Sequence, residues 1–202
     1  MIKKISFING NVKLVGILSM PEHRNSIVIL CHGYGSNKDT DKYILIEKEF
    51  SKKGIATLRF DFHGCGESGG NFDFDIEKAL LNNVQDLKAA LDFLEKEYKI
   101  NKVALIGSSL GGSTSLMMSD DSRVSAIISL AAPFFPSLKK IEKPLLIFHG
   151  TSDIIVPHDH ADKINNLATK AIIRIVEGAD HSFSDHREII VKESMEFLER
   201  YL

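Results

Sequence analysis

Short apolar runs recur along the chain at Val12–Met20, Ser26–Cys31, Ile55–Phe60, Val103–Ile106, Val124–Leu130, Leu145–His149 and Ala171–Val176, and they read as strands. Ile27-Val28-Ile29-Leu30-Cys31 is continuously apolar, the pattern of a parallel strand covered on both faces. The first residues alternate more, as an antiparallel edge does, so a mixed sheet is predicted. Between strands, Leu80, Val84, Leu87, Leu91, Leu94 and Tyr98 step by four and three, which puts them on one face of a long helix with Asp75 as its N-cap. Further helices are expected near Lys42–Lys53, Leu110–Ser119, Asp159–Leu167 and Glu188–Tyr201. The alternation predicts an α/β fold, a mostly parallel central sheet with helices on both faces joined by right-handed crossovers.

Composition narrows the function classes. With 202 residues, 44% of them hydrophobic, the chain is long enough for one large core, and a single domain over residues 1–202 is expected. A net charge of −2 with interleaved signs leaves no basic stripe, so neither a nucleic acid nor an anionic membrane is an expected partner. The longest apolar stretch, Ala126 to Phe135, is interrupted by Ser129 and Pro133, far from a membrane span. The start, Met1-Ile2-Lys3-Lys4-Ile5-Ser6, turns polar too early for a secretory leader, which makes the cytoplasm the expected compartment and Cys31 and Cys65 reduced thiols.

Gly-x-Ser-x-Gly occurs twice, as Gly66-Glu67-Ser68-Gly69-Gly70 and Gly107-Ser108-Ser109-Leu110-Gly111, so context must decide between them. A nucleophile elbow needs an apolar strand directly before the serine and a helix directly after it, because the tight turn pushes Oγ out above the sheet. Ser109 meets both conditions, whereas Ser68 follows a strand that ends at Phe60 and leads into loop, as a turn residue would. Gly64-x-Gly66-x-x-Gly69 mimics a dinucleotide fingerprint, but helical periodicity resumes only near Ile76, and Gly107–Ser115 has no phosphate-loop lysine. No cofactor and no metal are expected.

A serine hydroxyl needs a base, and the base needs an orienting group. Of eight histidines, His181 lies in the loop after the last strand, on the sheet edge where the elbow opens. His186 lies nearer the final helix, His23 precedes a strand, and His158 and His160 face different directions. Asp153 is the preferred acid, because its loop follows the strand before the one that leads to His181; Asp180 adjoins His181 too closely to face its ring. The amides of Leu110 and Tyr34 are the expected oxyanion donors, and His32 is expected to hold the Tyr34 loop by hydrogen bonds.

From His32-Gly33-Tyr34-Gly35 through Arg59-Phe60-Asp61-Phe62-His63-Gly64-Cys65-Gly66-Glu67-Ser68 to His181, the chain resembles the α/β-hydrolase superfamily, and within it the small serine esterases that include cinnamoyl and feruloyl esterases and the serine aminopeptidase-like group. The resemblance implies a triad of Ser109, Asp153 and His181 with Tyr34 and Leu110 at the oxyanion, and a mainly structural role for Asp61–Ser68. Such esterases usually carry a lid before the strand at Leu145, where only Ala131 to Pro144 stand here. The expected site is therefore uncapped and shallow, lined by Gly33, Tyr34, Phe134, Phe135 and Ile155. The function expected is hydrolysis of a small-molecule ester through an acyl-enzyme. Peptide, thioester or C–C cleavage by the same triad, and a ligand-binding module without turnover, stay open, as does a homo-oligomeric state.

Overall fold

The computed structural model describes residues 1–21 and 26–202, so His23 lies outside the described residues. The elements in chain order are β1 (Ile2–Asn9), β2 (Val12–Ser19), β3 (Ser26–Cys31), α1 (Asp41–Lys52), β4 (Ala56–Phe60), α2 (Ile76–Tyr98), β5 (Lys102–Ser108), α3 (Leu110–Met117), β6 (Val124–Leu130), β7 (Leu145–Gly150), α4 (Asp159–Asn165), β8 (Ala171–Val176) and α5 (Arg187–Leu198). They build one eight-stranded sheet in the order β1-β2-β4-β3-β5-β6-β7-β8. β2 runs antiparallel to both β1 and β4, and the remaining pairs are parallel.

Alternation along the buried strands feeds two cores, one on each face. Ile27, Ile29, Leu105, Leu145 and Ile147 pack with Leu87, Leu91 and Leu94 of α2. Val28, Leu30, Ile106, Leu146 and Phe148 point the other way, onto Tyr43, Ile46 and Phe50 of α1 and Ile190, Phe197 and Leu198 of α5. The long helix starts where its cap requires: the Asp75 carboxylate accepts from the amides of Glu77 and Lys78, and Lys99 ends it in a left-handed conformation.

β3 has β4 on one side and β5 on the other, so the chain changes its direction of progress across the sheet there. In open α/β sheets the crevice at the carboxyl ends of such strands receives ligands, because the loops part at that point. The loops after β3 and β5 flank it. Residues 131–144 form no helix and lie on the body of the fold. Pro133 O accepts from Ser113 Oγ at 2.7 Å, the Phe134 amide donates to His160 Nδ1 at 2.7 Å, and Leu138 and Ile141 are buried. No cap subdomain rises from this segment.

Candidate active site

Ser109 stands between β5 and α3 with φ 53° and ψ −124°, a left-handed conformation that costs a non-glycine residue about 1–3 kcal/mol. The surroundings hold it there. Its amide donates to Leu130 O at 2.8 Å, and its carbonyl accepts the Gly112 amide at 2.8 Å. The flanking glycines are steric requirements: a Cβ on Gly107 would overlap the Gly111 carbonyl, and one on Gly111 would overlap the carbonyl oxygens of Cys31 and His32. The turn is thus wedged against the end of β3, and Oγ is presented at the switch point.

Asp153 and His181 come from the loops after β7 and β8. These loops are tied together by Thr151 N to Val176 O at 3.1 Å, Ser152 N to Ala179 O at 3.0 Å and Gly178 N to Thr151 Oγ1 at 2.8 Å. Gly150 allows the close approach, since a Cβ there would overlap Ala179 O. His181 Nδ1 then meets Asp153 Oδ2 at 2.7 Å, while Asp153 Oδ1 accepts the amides of Ile155 and Val156, each at 2.9 Å. A carboxylate only accepts, so Nδ1 carries the proton and Nε2 is left as the basic nitrogen. Asp180 turns away and accepts from the amide and hydroxyl of Ser184.

One supporting residue was missing from the sequence reading. His149 is buried at the end of β7, and its Nε2 lies 2.9 Å from Val156 O and 3.4 Å from Asp153 Oδ2, against the carboxylate that meets His181. Its position beside Gly150, just ahead of the acid loop, was the available signal.

On the opposite side of Ser109, Gly33 lies so near that an added Cβ would sit 3.2 Å from Ser109 Cβ and 3.9 Å from Oγ. The Tyr34 amide follows directly in the chain, and Leu110 is the first residue of α3, where amides have no intrahelical acceptor. His32 anchors this loop. Its Nε2 accepts the Phe62 amide at 3.0 Å and its Nδ1 donates to Gly33 O at 2.8 Å, and burial pushes its pKa down, which keeps the ring neutral. The second serine motif is a turn: Ser68 Oγ donates to Asp61 O at 2.6 Å and accepts the Val15 amide at 2.9 Å.

A cavity of about 390 Å³ opens beside Ser109 and His181. Gly33 and Tyr34 line it, but Phe134, Phe135 and Ile155 do not, which corrects the expected lining. Phe134 and Phe135 pack on the core instead, Phe135 also against Leu80 and Leu110, and the Ile155 side chain is exposed while its amide serves Asp153. The walls come from the first turns of α1 and α5: Thr40, Asp41, Lys42, Tyr43 and Arg187. Lys42 is 8% exposed and donates to Ser108 Oγ at 2.7 Å. Burial, with repulsion from Arg187, lowers its pKa to about 8 against the opposing pull of Asp180. Lys42 shares a helical face with the buried Ile46 and Phe50, and a lysine in that register was the signal that could have found it.

A family model described as an alpha/beta hydrolase domain matches residues 24–198. Among sequence relatives, a Mycobacterium tuberculosis protein named "Putative phosphoribosyl transferase" is 25% identical over 189 residues, 91% of this chain and 42% of that protein. This chain therefore spans less than half the length of that relative. Among solved structures, ferulic-acid-bound Est1E of Butyrivibrio proteoclasticus superposes with a TM-score of 0.86 at 19% identity, covering 98% of both chains. A Xanthomonas campestris protein described as a serine hydrolase without lid gives 0.84 at 20% identity, covering 98% of this chain and 94% of that one. At these identities the structures are similar in fold.

Proposed function

The chain belongs to the alpha/beta hydrolase domain family, and from that premise we propose that it is a serine hydrolase that cleaves small carboxylic esters through an acyl-enzyme on Ser109. The observation that carries this reading is the 2.7 Å pairing of Asp153 with His181 beside a cavity that Ser109 also lines. In the first step Ser109 Oγ attacks the ester carbonyl as its proton passes to His181 Nε2. The carbonyl oxygen becomes an oxyanion, received by the amides of Leu110 and Tyr34, with the N-terminus of α3 favouring the negative charge. Collapse breaks the bond to the alcohol, which leaves with the proton from His181. A water then gives its proton to the same nitrogen and attacks the acyl carbon. Breakdown of that second intermediate returns the proton to Ser109 and releases the acid. Asp153 stays ionised throughout and stabilises the imidazolium in each half.

Fluorophosphonate labelling followed by peptide mapping tests the reading, together with turnover of 4-nitrophenyl butyrate. A single adduct on Ser109, and loss of both labelling and turnover in a folded Ser109→Ala variant, are expected. Turnover retained by that variant would overturn the assignment, and a folded wild-type chain that is neither labelled nor active would favour a binding module. A panel of matched ester, thioester and anilide substrates separates the esterase from the other acyl-transfer readings.

A further inference from the structure

The cavity beside Ser109 is built with more positive charge than ester hydrolysis needs. Lys42 reaches it from the first turn of α1, and its ammonium carries three N–H donors. Ser108 Oγ is the one hydrogen-bond acceptor for that group among the described residues. Arg187 reaches the same cavity from the first residue of α5. Its Nη1 lies 3.4 Å from Asp41 Oδ2, on a carboxylate side chain that is 80% exposed. Its Nε is buried and has no hydrogen-bond partner among the described residues, and the same holds for Thr40 Oγ1 on the cavity wall. Asp180, the carboxylate whose charge acts on Lys42, accepts from the amide and the hydroxyl of Ser184, one on each oxygen.

Buried donors without acceptors are costly, and a buried ammonium costs more, so a site that keeps both is completed by an acceptor from outside. A carboxylate suits these donors: it accepts from a guanidinium and an ammonium together, and the first turns of two helices supply further positive potential. We propose that this cavity is an anion subsite in which Lys42 and Arg187, assisted by the Thr40 hydroxyl, hold a carboxylate borne by the substrate beside the ester that Ser109 attacks. The preferred substrates are then half-esters and other esters with a second, ionised carboxyl group. The cavity, of about 390 Å³, lies at the small end of the roughly 300–1,000 Å³ typical of ligand sites, room for a short acyl or alcohol group with its carboxylate. The proposal rests on the serine-hydrolase reading.

Two matched pairs test it: mono-4-nitrophenyl adipate against its methyl ester, and 4-(butyryloxy)benzoate against its methyl ester. In at least one pair kcat/KM should favour the anion by about tenfold or more, the scale of a charge-assisted hydrogen bond, with most of the preference in KM. The preference should collapse in Lys42→Met and in Arg187→Gln, the second variant changing a side chain that is only partly buried. Equal or better use of the neutral ester in both pairs, or a preference that survives both substitutions, overturns the subsite while leaving the hydrolase reading intact. If none of the four esters is cleaved, the hydrolase reading fails only when Ser109 is also not labelled by the fluorophosphonate. The subsite is then decided by calorimetric titration of Ser109→Ala with monomethyl adipate, where saturable binding lost in Arg187→Gln supports it and no binding overturns it.

Discussion

Asp153 Oδ2 lies 2.7 Å from His181 Nδ1, and the other oxygen of the same carboxylate is held by two backbone amides. The side chain is fully buried, so the histidine meets a carboxylate whose orientation is already settled by its own loop. Such an arrangement needs no reorganisation when the imidazolium forms, which is the property an orienting acid supplies.

Asp153→Asn should therefore be more harmful than a loss of charge alone suggests. The amides of Ile155 and Val156 require an acceptor, so the asparagine carbonyl takes their side and its NH₂ faces His181. That donor forces Nδ1 to accept and puts the ring proton on Nε2, where no base is left for Ser109. A fall in kcat of about 10⁴ with a small change in KM is expected on 4-nitrophenyl butyrate. Imidazole ¹⁵N shifts of His181 should report the reversed tautomer, and a kcat within tenfold of wild type would contradict the assignment.

Gly33 and Gly111 should separate catalysis from folding. An alanine at Gly33 brings Cβ to 3.2 Å from Ser109 Cβ and 3.3 Å from Ser108 O, a crowding that shifts Ser109 by a few tenths of an ångström. Loss of about tenfold to a hundredfold in kcat, with Tm nearly unchanged, is expected from that misplacement. Alanine at Gly111 instead meets the backbone carbonyls of Cys31 and His32, which cannot move without opening β3. It should cost about 3 kcal/mol or more, read by urea unfolding.

The legible and illegible parts of this site differ in sequence range. Ser109 could be chosen over Ser68 because an elbow is local: strand, glycine, serine, glycine and helix lie within 16 residues, Lys102 to Met117. Asp153 and His181 followed from strand order, since consecutive parallel strands put successive loops on one edge. The helices and the seven strands from β2 to β8 lie within a few residues of their expected bounds for the same reason, that periodicity records burial directly, whereas β1 was expected only as an alternating antiparallel edge without bounds. The cavity wall is another matter. It depends on how the first turns of α1 and α5 approach each other, and Asp41 and Arg187 are 146 residues apart. Phe134 and Phe135 look like pocket and like core from their composition alone, and only their packing distinguishes the two.

Asp61 anchors the loop after β4. Its buried carboxylate accepts from the Lys38 amide at 2.6 Å, Lys38 Nζ at 3.0 Å and the Glu67 amide at 2.9 Å. Removing it leaves two amides without their acceptor and takes from the buried Lys38 ammonium the one fully buried carboxylate of its three, the half-exposed Asp39 at 2.9 Å and Glu67 at 2.8 Å remaining. Asp61→Ala should lower the unfolding free energy by about 3–5 kcal/mol, measured in urea. An unchanged midpoint would show that Glu67 and Asp39 alone neutralise Lys38.

Lys42 should reveal itself as a residue kept at the expense of stability. Burial lowers its pKa from 10.5 to about 8, with Arg187 adding to the shift and Asp180 opposing it; Ser108 and the rings of Tyr43 and Phe183 complete its surroundings. The sign follows from proton binding. Below pH 8 the amine is charged in both states and the folded chain bears the full net cost of the shift, about 3 kcal/mol on the scale of 1.36 kcal/mol per pKa unit. Between pH 8 and 10.5 the unfolded chain binds more protons than the folded one, so this contribution to stability rises with pH and the cost is relieved. Lys42→Met removes the cost and forfeits about 1 kcal/mol for the hydrogen bond to Ser108. The variant should be more stable than wild type by about 1–3 kcal/mol at pH 7, and the advantage should vanish or reverse by pH 10.5. Urea unfolding of both proteins across this range measures it. A variant destabilised equally at both ends would mean that the ammonium is already fully compensated inside the fold.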